Sequence, residues 1–142
     1  MTGGSEAALF EGWQTRPGEP FEDKAGPFFH RELEDGSVVG GFRADRSHLN
    51  GIDIIHGGCI LTLIDYTLFT LARRATQGGE AVTVSLTTEF VGSASLDDVV
   101  EAHAEVIKIG KSLIFARGLV QCRDRPLAMF SCTLKRIMVR HP

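Results

Sequence analysis

The sequence has little that would staple or anchor it. Only three of its 142 residues are cysteine, and no two form a Cys-x-x-Cys pair. An odd, unpaired set argues against a disulfide framework and against a zinc ribbon, and thiols left free fit a reducing, cytoplasmic setting. An excess of basic charge is also missing. The 15 Lys and Arg are outnumbered by 18 Asp and Glu, for a net charge of −3, which is the wrong sign for the basic face of a nucleic-acid binder and gives no reason to expect a membrane-surface protein. Residues 1–6 carry no basic segment and no long apolar run follows, so no signal peptide is expected. The longest mainly apolar stretch, 57–72, is interrupted by Asp65 and falls short of the roughly 20 residues a membrane-spanning helix needs. There is no internal repeat and no low-complexity run.

What is present suits one small α+β domain. The length corresponds to a single unit, and a chain of this size buries about 68–70% of its unfolded surface, enough for a core without staples. The apolar fraction is 43% and the charged fraction 23%, as in soluble globular chains. Residues 1–27 are rich in Gly, Pro and Glu and form an N-terminal arm. A short helix is expected over 5–13, with Leu9, Phe10 and Trp13 on one side, before Pro17, Pro20 and Pro27 break regular structure. The main domain, 28–142, opens with two strands, 28–34 and 38–44, around the hairpin signal Asp35-Gly36. A loop over 46–55 leads to one strong helix that starts at His56-Gly57-Gly58 and stops near Gly78-Gly79. Its apolar residues cover nearly the whole circumference, the mark of a buried helix, and Arg73 and Arg74 suit the negative end of its dipole. Period-two alternation then predicts four strands, near 82–90, 100–106, 113–120 and 128–134, in an antiparallel sheet.

The order β-β-α-β-β-β-β has one long helix and about six strands. Such a helix is covered on all sides only if a curved sheet wraps it and something else closes the remainder. The economical architecture is a hotdog fold, with a cone-shaped α+β barrel as the alternative. An open edge strand predicts a dimer at least.

Two features carry candidate chemistry. Asp65 is the only side chain charged at neutral pH between positions 57 and 72. A carboxylate in an apolar helix is costly and Asp is a mediocre helix former, so it reads either as a general base or nucleophile facing a site, or as an acid hydrogen-bonded across an interface or on a wetter face. His56-Gly57-Gly58 sits at the helix N-terminus, where unpaired N–H groups and the dipole favour developing negative charge. Glycine there lets a ligand approach the backbone, or simply makes a tight loop-to-helix junction.

The combination of His48-x-Asn50, His56-Gly57-Gly58 and Asp65 resembles the hotdog thioesterases of the phenylacetic-acid-pathway (PaaI) type, which hydrolyse acyl-coenzyme A (acyl-CoA) thioesters. The likeness runs from about residue 36 to 138 and includes Val82-Thr83-Val84, the 90–95 segment and Lys108-Ile109-Gly110-Lys111-Ser112. It implies Asp65 as catalytic carboxylate, Gly57 as backbone donor to the thioester carbonyl, Asn50 as the group that positions water, His56 as loop support and Thr83 near the reacting centre. It further implies that Gly58, Phe90, Val91, Gly92 and Ser93, with Lys108, Gly110, Lys111 and Ser112, hold coenzyme A. Asn50 and Gly57 would come from one subunit and Asp65 and Thr83 from the other, in a homodimer or homotetramer. No cofactor is implied beyond the coenzyme A of the substrate. The family usually has Gly where this chain has Asp53. Asp tolerates left-handed backbone better than most residues, so the loop can persist, or the added charge alters substrate choice.

Competing signals are weaker. Gly110-Lys111-Ser112 resembles the end of a P-loop, but residue 105 is Glu where a Gly is required; an ordinary hairpin turn with solvated lysines is the plain alternative to a coenzyme A contact. His48, Asp53 and His56 match no zinc spacing, so no metal is expected. Cys59, Cys122 and Cys132 read as small core residues, His103 as a surface histidine, and Arg136 and Arg140 as solvated charge. A hotdog dehydratase or hydratase would need a His-acid dyad not evident here, and a non-catalytic acyl-CoA-binding module would not need Asp65. Leu61, Tyr66 and Phe69 are compatible with aryl or aliphatic acyl tails.

Overall fold

His56 begins the central helix by capping it. Its backbone is extended (φ −60°, ψ 133°) and its Nδ1 accepts the Gly58 N–H, closing the first turn of the long helix Gly57–Ala75 in the manner of an N-cap. The computed structural model describes residues 5–138, so Arg140 and the first four residues lie outside it. The long helix ends three residues before the expected Gly78-Gly79 stop, because Gln77 (φ 57°) and Gly78 (φ 95°) turn left-handed and the Gly78 N–H returns to the Arg73 carbonyl at 2.7 Å.

In chain order the elements are α1 (Glu6–Leu9), α2 (Pro20–Ala25), β1 (Phe29–Glu32), β2 (Val38–Arg43), α3 (Gly57–Ala75), β3 (Glu80–Phe90), β4 (Val99–Ile109), β5 (Leu113–Cys122) and β6 (Arg125–Ile137). The six strands form one antiparallel sheet in the order β1-β2-β4-β5-β6-β3, curved around α3 as a hotdog. Small inward residues, Ala102, Ala104, Ala116 and Ala128, let the helix lie close to the strands. Leu63, Ile64, Leu68 and Leu71 are fully buried between them, each contributing about 1.5–3 kcal/mol.

The helix is not covered on every side within one chain. Gly58, Thr62, Asp65, Phe69 and Arg73 follow helical spacing down one face, and all five remain at least partly exposed. The sheet reaches around the other faces, and α2 reaches only part of this one.

The arm holds two departures from expectation. The helix at 5–13 is a single turn, α1, capped by the Ser5 hydroxyl, after which Gly12 turns left-handed (φ 82°). Pro20 does not break structure but starts α2, since a first helical residue has no N–H bond to lose. The arm then seals the β1 edge. Gln14 and His30 exchange backbone hydrogen bonds at 2.8 and 2.9 Å, and Phe10 stacks on Phe29 with centroids 4.3 Å apart. The opposite edge, β3, pairs only with β6 among the described residues.

Two consecutive glycines in β2 make these contacts possible. A side chain on Gly41 would press against Phe10 and Trp13 of the arm, and one on Gly40 would overlap the Thr67 hydroxyl of α3. Gly40→Ala is expected to destabilise the protein by about 1–3 kcal/mol through overpacking, with part of the loss recovered in Gly40→Ala/Thr67→Ala, as measured by urea unfolding. Unchanged stability in the single variant would refute the close approach of β2 and α3.

Candidate functional site

The loop before α3 is shaped by its own polar side chains. Asp45 caps a single 3-10 turn, Arg46–His48. His48 is buried, with Nδ1 accepting the Asp45 N–H at 3.0 Å and Nε2 lying 2.7 Å from the Ala25 carbonyl oxygen. A carbonyl only accepts, so Nε2 carries the proton, and the ring ties the loop to the arm. Asn50 follows. Its Oδ1 accepts the N–H groups of Ile52 and Ile54 at 3.0 and 3.2 Å, leaving the Nδ2 hydrogens as the group it can offer outward. Asp53, at the position where glycine was expected, adopts φ 63°. Aspartate thus supplies the left-handed residue of the turn, and its N–H bonds the Asn50 carbonyl at 3.1 Å. The turn tip exposes Ile52.

At the start of α3 the two glycines differ. The Gly58 N–H is taken by His56 at 2.8 Å, whereas the Gly57 N–H has no partner among the described residues. It stands at the positive end of a 19-residue helix, where a negatively polarised oxygen is favoured. The Phe90 ring approaches Gly57 so closely that a side chain there would meet its Cζ at 3.4 Å. Val91 and Gly92 donate their N–H groups to the Leu127 carbonyl, the Ile55 N–H bonds Ala94, and the Ser93 carbonyl accepts from Arg125. Asn50, His56, Gly57, Gly58 and the 90–93 segment therefore form one group.

Asp65 belongs to another. Its Oδ1 accepts the Thr83 hydroxyl at 2.7 Å, from α3 across to β3. Burial raises the carboxyl above its ordinary value, while the Thr83 hydrogen bond and the nearby Arg16 cation pull it back down. Thr83 pairs with Leu134, and Leu134 with Ile114, so this end of the sheet also holds the β4–β5 turn. In that turn the Gly110 N–H bonds Leu113, and the Ser112 carbonyl accepts from Arg136. Lys108 lies just past a bulge, one residue before the end of β4, and Lys111 lies in the turn.

The two groups do not meet within one chain. Eight helical residues separate Gly57 from Asp65, roughly 12 Å along the axis, and seven strand residues separate Thr83 from Phe90, roughly 23 Å.

A cavity of about 610 Å³ opens beside Asp65, walled by Leu61 and Phe69 of α3, Leu86 of β3 and Phe21 and Glu22 of α2. A second concavity, about 550 Å³, lies on the outer face of the sheet over Arg117, Leu119 and Met129; none of the candidate catalytic or coenzyme A residues lines it, and His103 does. Sequence reasoning missed the arm's part in this region. Arg16 donates to Thr70 Oγ1 (2.6 Å), Glu22 Oε1 (3.1 Å) and the Tyr66 carbonyl (3.2 Å), with its guanidinium 4.5 Å from the Tyr66 ring centroid. The only signal was a basic and an acidic residue six apart in a proline-rich stretch.

Other groups are accounted for. Burial pushes the Cys59 thiol up to about 12 and Cys132 to about 11, so neither supplies a thiolate near neutrality. His103 is half-buried and contacts Glu101 at 3.2 Å. Among the described residues no three His, Cys, Asp or Glu side chains are grouped to hold a metal ion, and no helix is long and apolar enough to cross a membrane.

Comparison with known proteins places this geometry. Residues 53–129 match the Thioesterase superfamily model. A Pseudomonas aeruginosa protein whose name calls it an esterase, PA0474, is 34% identical over 113 residues, covering 79% of this chain and 84% of the relative. Human acyl-coenzyme A thioesterase 13 is 32% identical over 81 residues, covering 56% of this chain and 57% of its own. Among solved structures, the Escherichia coli PaaI protein of the phenylacetic acid degradation operon superposes with a TM-score of 0.76 at 23% identity, covering 92% of this chain and 89% of that one. The Bacillus halodurans protein BH2602, solved with CoA, gives 0.70 at 25% identity, covering 78% and 74%. With its helix-wrapping sheet and a matched segment that takes in both groups of residues except Asn50, the chain belongs to the Thioesterase superfamily and has the hotdog fold of the PaaI structure.

Proposed function

We propose that the protein hydrolyses acyl-CoA thioesters to the free acid and coenzyme A, at sites assembled from two copies of the chain. The observation that carries the reading is Asp65: a half-buried carboxylate in an apolar helix, held by Thr83 at 2.7 Å on the wall of a cavity. Family membership and acyl-CoA thioesterase names among the relatives support the substrate class.

In this reading the Gly57 N–H bonds the thioester oxygen and stabilises the charge that develops there. The ionised Asp65 supplies the electron pair, by attacking the carbonyl carbon or by taking a proton from the attacking water. The C–S bond breaks and the coenzyme A thiolate leaves. Where water attacks, the proton that Asp65 took from it passes to the sulfur and the free acid remains; where Asp65 attacks, the acyl–Asp65 anhydride is hydrolysed by water, which restores the carboxylate, releases the acid and supplies the sulfur's proton. Asn50 Nδ2 is the hydrogen-bond donor that orients the water, and His56 keeps the Gly57 turn in place. Phe90, Val91, Gly92 and Ser93 on one side, and Lys108, Gly110, Lys111 and Ser112 on the other, hold the coenzyme A arm.

Two copies are required because the donor and the carboxylate lie too far apart in one. The unpartnered β3 edge supplies the means. If it pairs antiparallel with its copy about a two-fold axis near Leu86 and Thr87, Thr83 of each chain comes beside Phe90 of the other, and the Asp65 group of one faces the Gly57 group of the other. Apolar side chains are exposed where such a partner would lie: Ile52 on the loop and Val82 and Val84 on β3. The arrangement is a homodimer, and two such dimers give the homotetramer. Such a protein works in the cytoplasm, where its thiols stay reduced.

Asp65→Asn is expected to fold and to lose on the order of 10²–10⁴ of kcat on an acyl-CoA substrate. It should also be at least as stable as wild type at neutral pH, because a carboxyl whose value is raised by burial is a charged, destabilising group above that value. The advantage should shrink as pH falls through the raised value of folded Asp65 towards that of the unfolded chain. Steady-state assays and thermal melts across pH measure both, and near-wild-type turnover would overturn the assignment.

Thr83→Val removes the hydrogen bond that favours the ionised form, so the acid limb of kcat/KM should move to higher pH; an unmoved limb would separate Thr83 from the reacting carboxylate. Finally, Asp65→Asn and Asn50→Ala chains, each inactive alone, should together form mixed dimers with one intact site, restoring about half of wild-type activity per mixed dimer. No recovery in purified mixed dimers would show that the sites are not shared.

A further inference from the structure

The cavity beside Asp65 is built in part by residues outside the matched segment 53–129. Its far wall is α2, which contributes Pro20, Phe21 and Glu22, with Glu19 just before it. Facing them are Leu61, Thr62, Asp65 and Phe69 of α3 and Leu86 of β3. The lining is largely apolar, and the two carboxylates that are not at its rim, Glu22 and Asp65, stand on opposite walls.

Glu22 is fixed in place. Its side chain is 11% exposed and its Oε1 is bonded by Arg16, itself 12% exposed, at 3.1 Å. Three of that guanidinium's five N–H groups are engaged, since it also donates to Thr70 Oγ1 and the Tyr66 carbonyl, and it stacks on the Tyr66 ring. No Lys, Arg or His is among the residues that line the cavity to receive an entering anion. Glu22 Oε2 has no partner among the described residues. Burial raises the carboxyls of both Glu22 and Asp65, and each also feels Arg16. A third negative charge placed between two poorly solvated carboxylates meets like charge from both sides, whereas an uncharged chain meets phenyl and leucine surfaces.

We propose that this cavity receives the acyl group and that Glu22, clamped by Arg16, is a specificity-determining residue that admits uncharged acyl chains and rejects carboxylate-ended ones. The inference rests on the acyl-CoA reading above and adds to it the charge class of the substrate. It makes the arm, which first seals the β1 edge, also a wall of the site.

The test compares non-hydrolysable thioether analogues of hexanoyl- and adipoyl-coenzyme A, equal in length and differing in the terminal carboxylate. Binding to the full chain is measured by calorimetry, which needs no turnover. Wild type should prefer the hexanoyl analogue by on the order of 100-fold. Glu22→Asp, which keeps the charge, should retain most of that preference. Glu22→Gln should cut it to about tenfold or less, because it removes one carboxylate and leaves Arg16 without its counter-ion. Equal preference in wild type and Glu22→Gln, or no preference in wild type, would overturn the proposal. Phe21 is 69% exposed, so Phe21→Ala should fold irrespective of the ion pair. It should weaken the hexanoyl analogue by several-fold while leaving the acetyl analogue nearly unchanged, and an equal effect on both would remove the acyl chain from this cavity. Hydrolysis of hexanoyl-CoA is assayed separately. A protein that shows the binding preference without turnover would refute the enzymatic reading and leave the specificity assignment standing, and turnover without the preference would do the reverse.

Discussion

Eight helical residues hold the Gly57 amide and the Asp65 carboxylate roughly 12 Å apart, and a helix packed through Leu63, Ile64, Leu68 and Leu71 has no freedom to bring them together. Much of the molecule's organisation follows from that rigidity. In the proposed reaction the Gly57 amide polarises a carbonyl with a long, fixed helix behind it. The same fixity prevents the chain's own acid from reaching that carbonyl. A site using both ends must recruit a second copy, and the sheet order leaves β3, the strand that carries Thr83 and Phe90 at its two ends, as the edge available for it. Chemistry and assembly are thus one problem in the proposed reading: the strand that holds Asp65 through Thr83 and lays Phe90 against Gly57 is also the strand that would meet the partner.

The energetics of Asp65 show the balance that such a site needs. Full burial would make the carboxylate neutral and useless as a base. Full exposure would leave it an ordinary surface acid. The helix face that carries it is only half covered, and its surroundings act in opposite directions. Burial disfavours the charge, and the Thr83 hydroxyl and the Arg16 cation favour it. The hydrophobic contacts on the other faces of α3, at about 1.5–3 kcal/mol for each large side chain, are ample to offset one poorly solvated acid. The fold tolerates Asp65 because the rest of the helix is so well buried.

The central helix and the strands after it were legible because their patterns are local and strongly periodic. Asp65 was legible because it broke such a pattern. Asp53 is a subtler case: its departure from the usual glycine marks a left-handed residue, and its φ of 63° shows that aspartate fills that conformation directly. The arm was read poorly for a physical reason. Pro20 signals interruption in a linear reading, yet at the first position of α2 its missing N–H costs nothing. Arg16 and Glu22 carry no periodic signal at all. Their meaning depends on Tyr66 and Thr70, about fifty positions away, and only tertiary packing brings these together.

The arm also explains how one helix can have an apolar circumference and still carry a half-buried acid. A sheet curved around α3 covers three sides. If the fourth side were closed by a purely apolar element, Asp65 would be sealed in; if it were left bare, Leu61 and Phe69 would lie open to water. The segment of α2 with Phe21 and Glu22, anchored through Arg16 to Thr70 and the Tyr66 carbonyl, takes the intermediate course. It covers part of the apolar stripe, keeps a cavity open at Asp65 and places its own charge in an ion pair. His48 extends the same anchoring to the other group, since its ring joins the loop that carries Asn50 to the end of α2 at Ala25. The N-terminal arm therefore touches the surroundings of both groups of residues. Displacing α2 would disturb the loop that carries Asn50 as well as the cavity beside Asp65, because it contacts both within one chain.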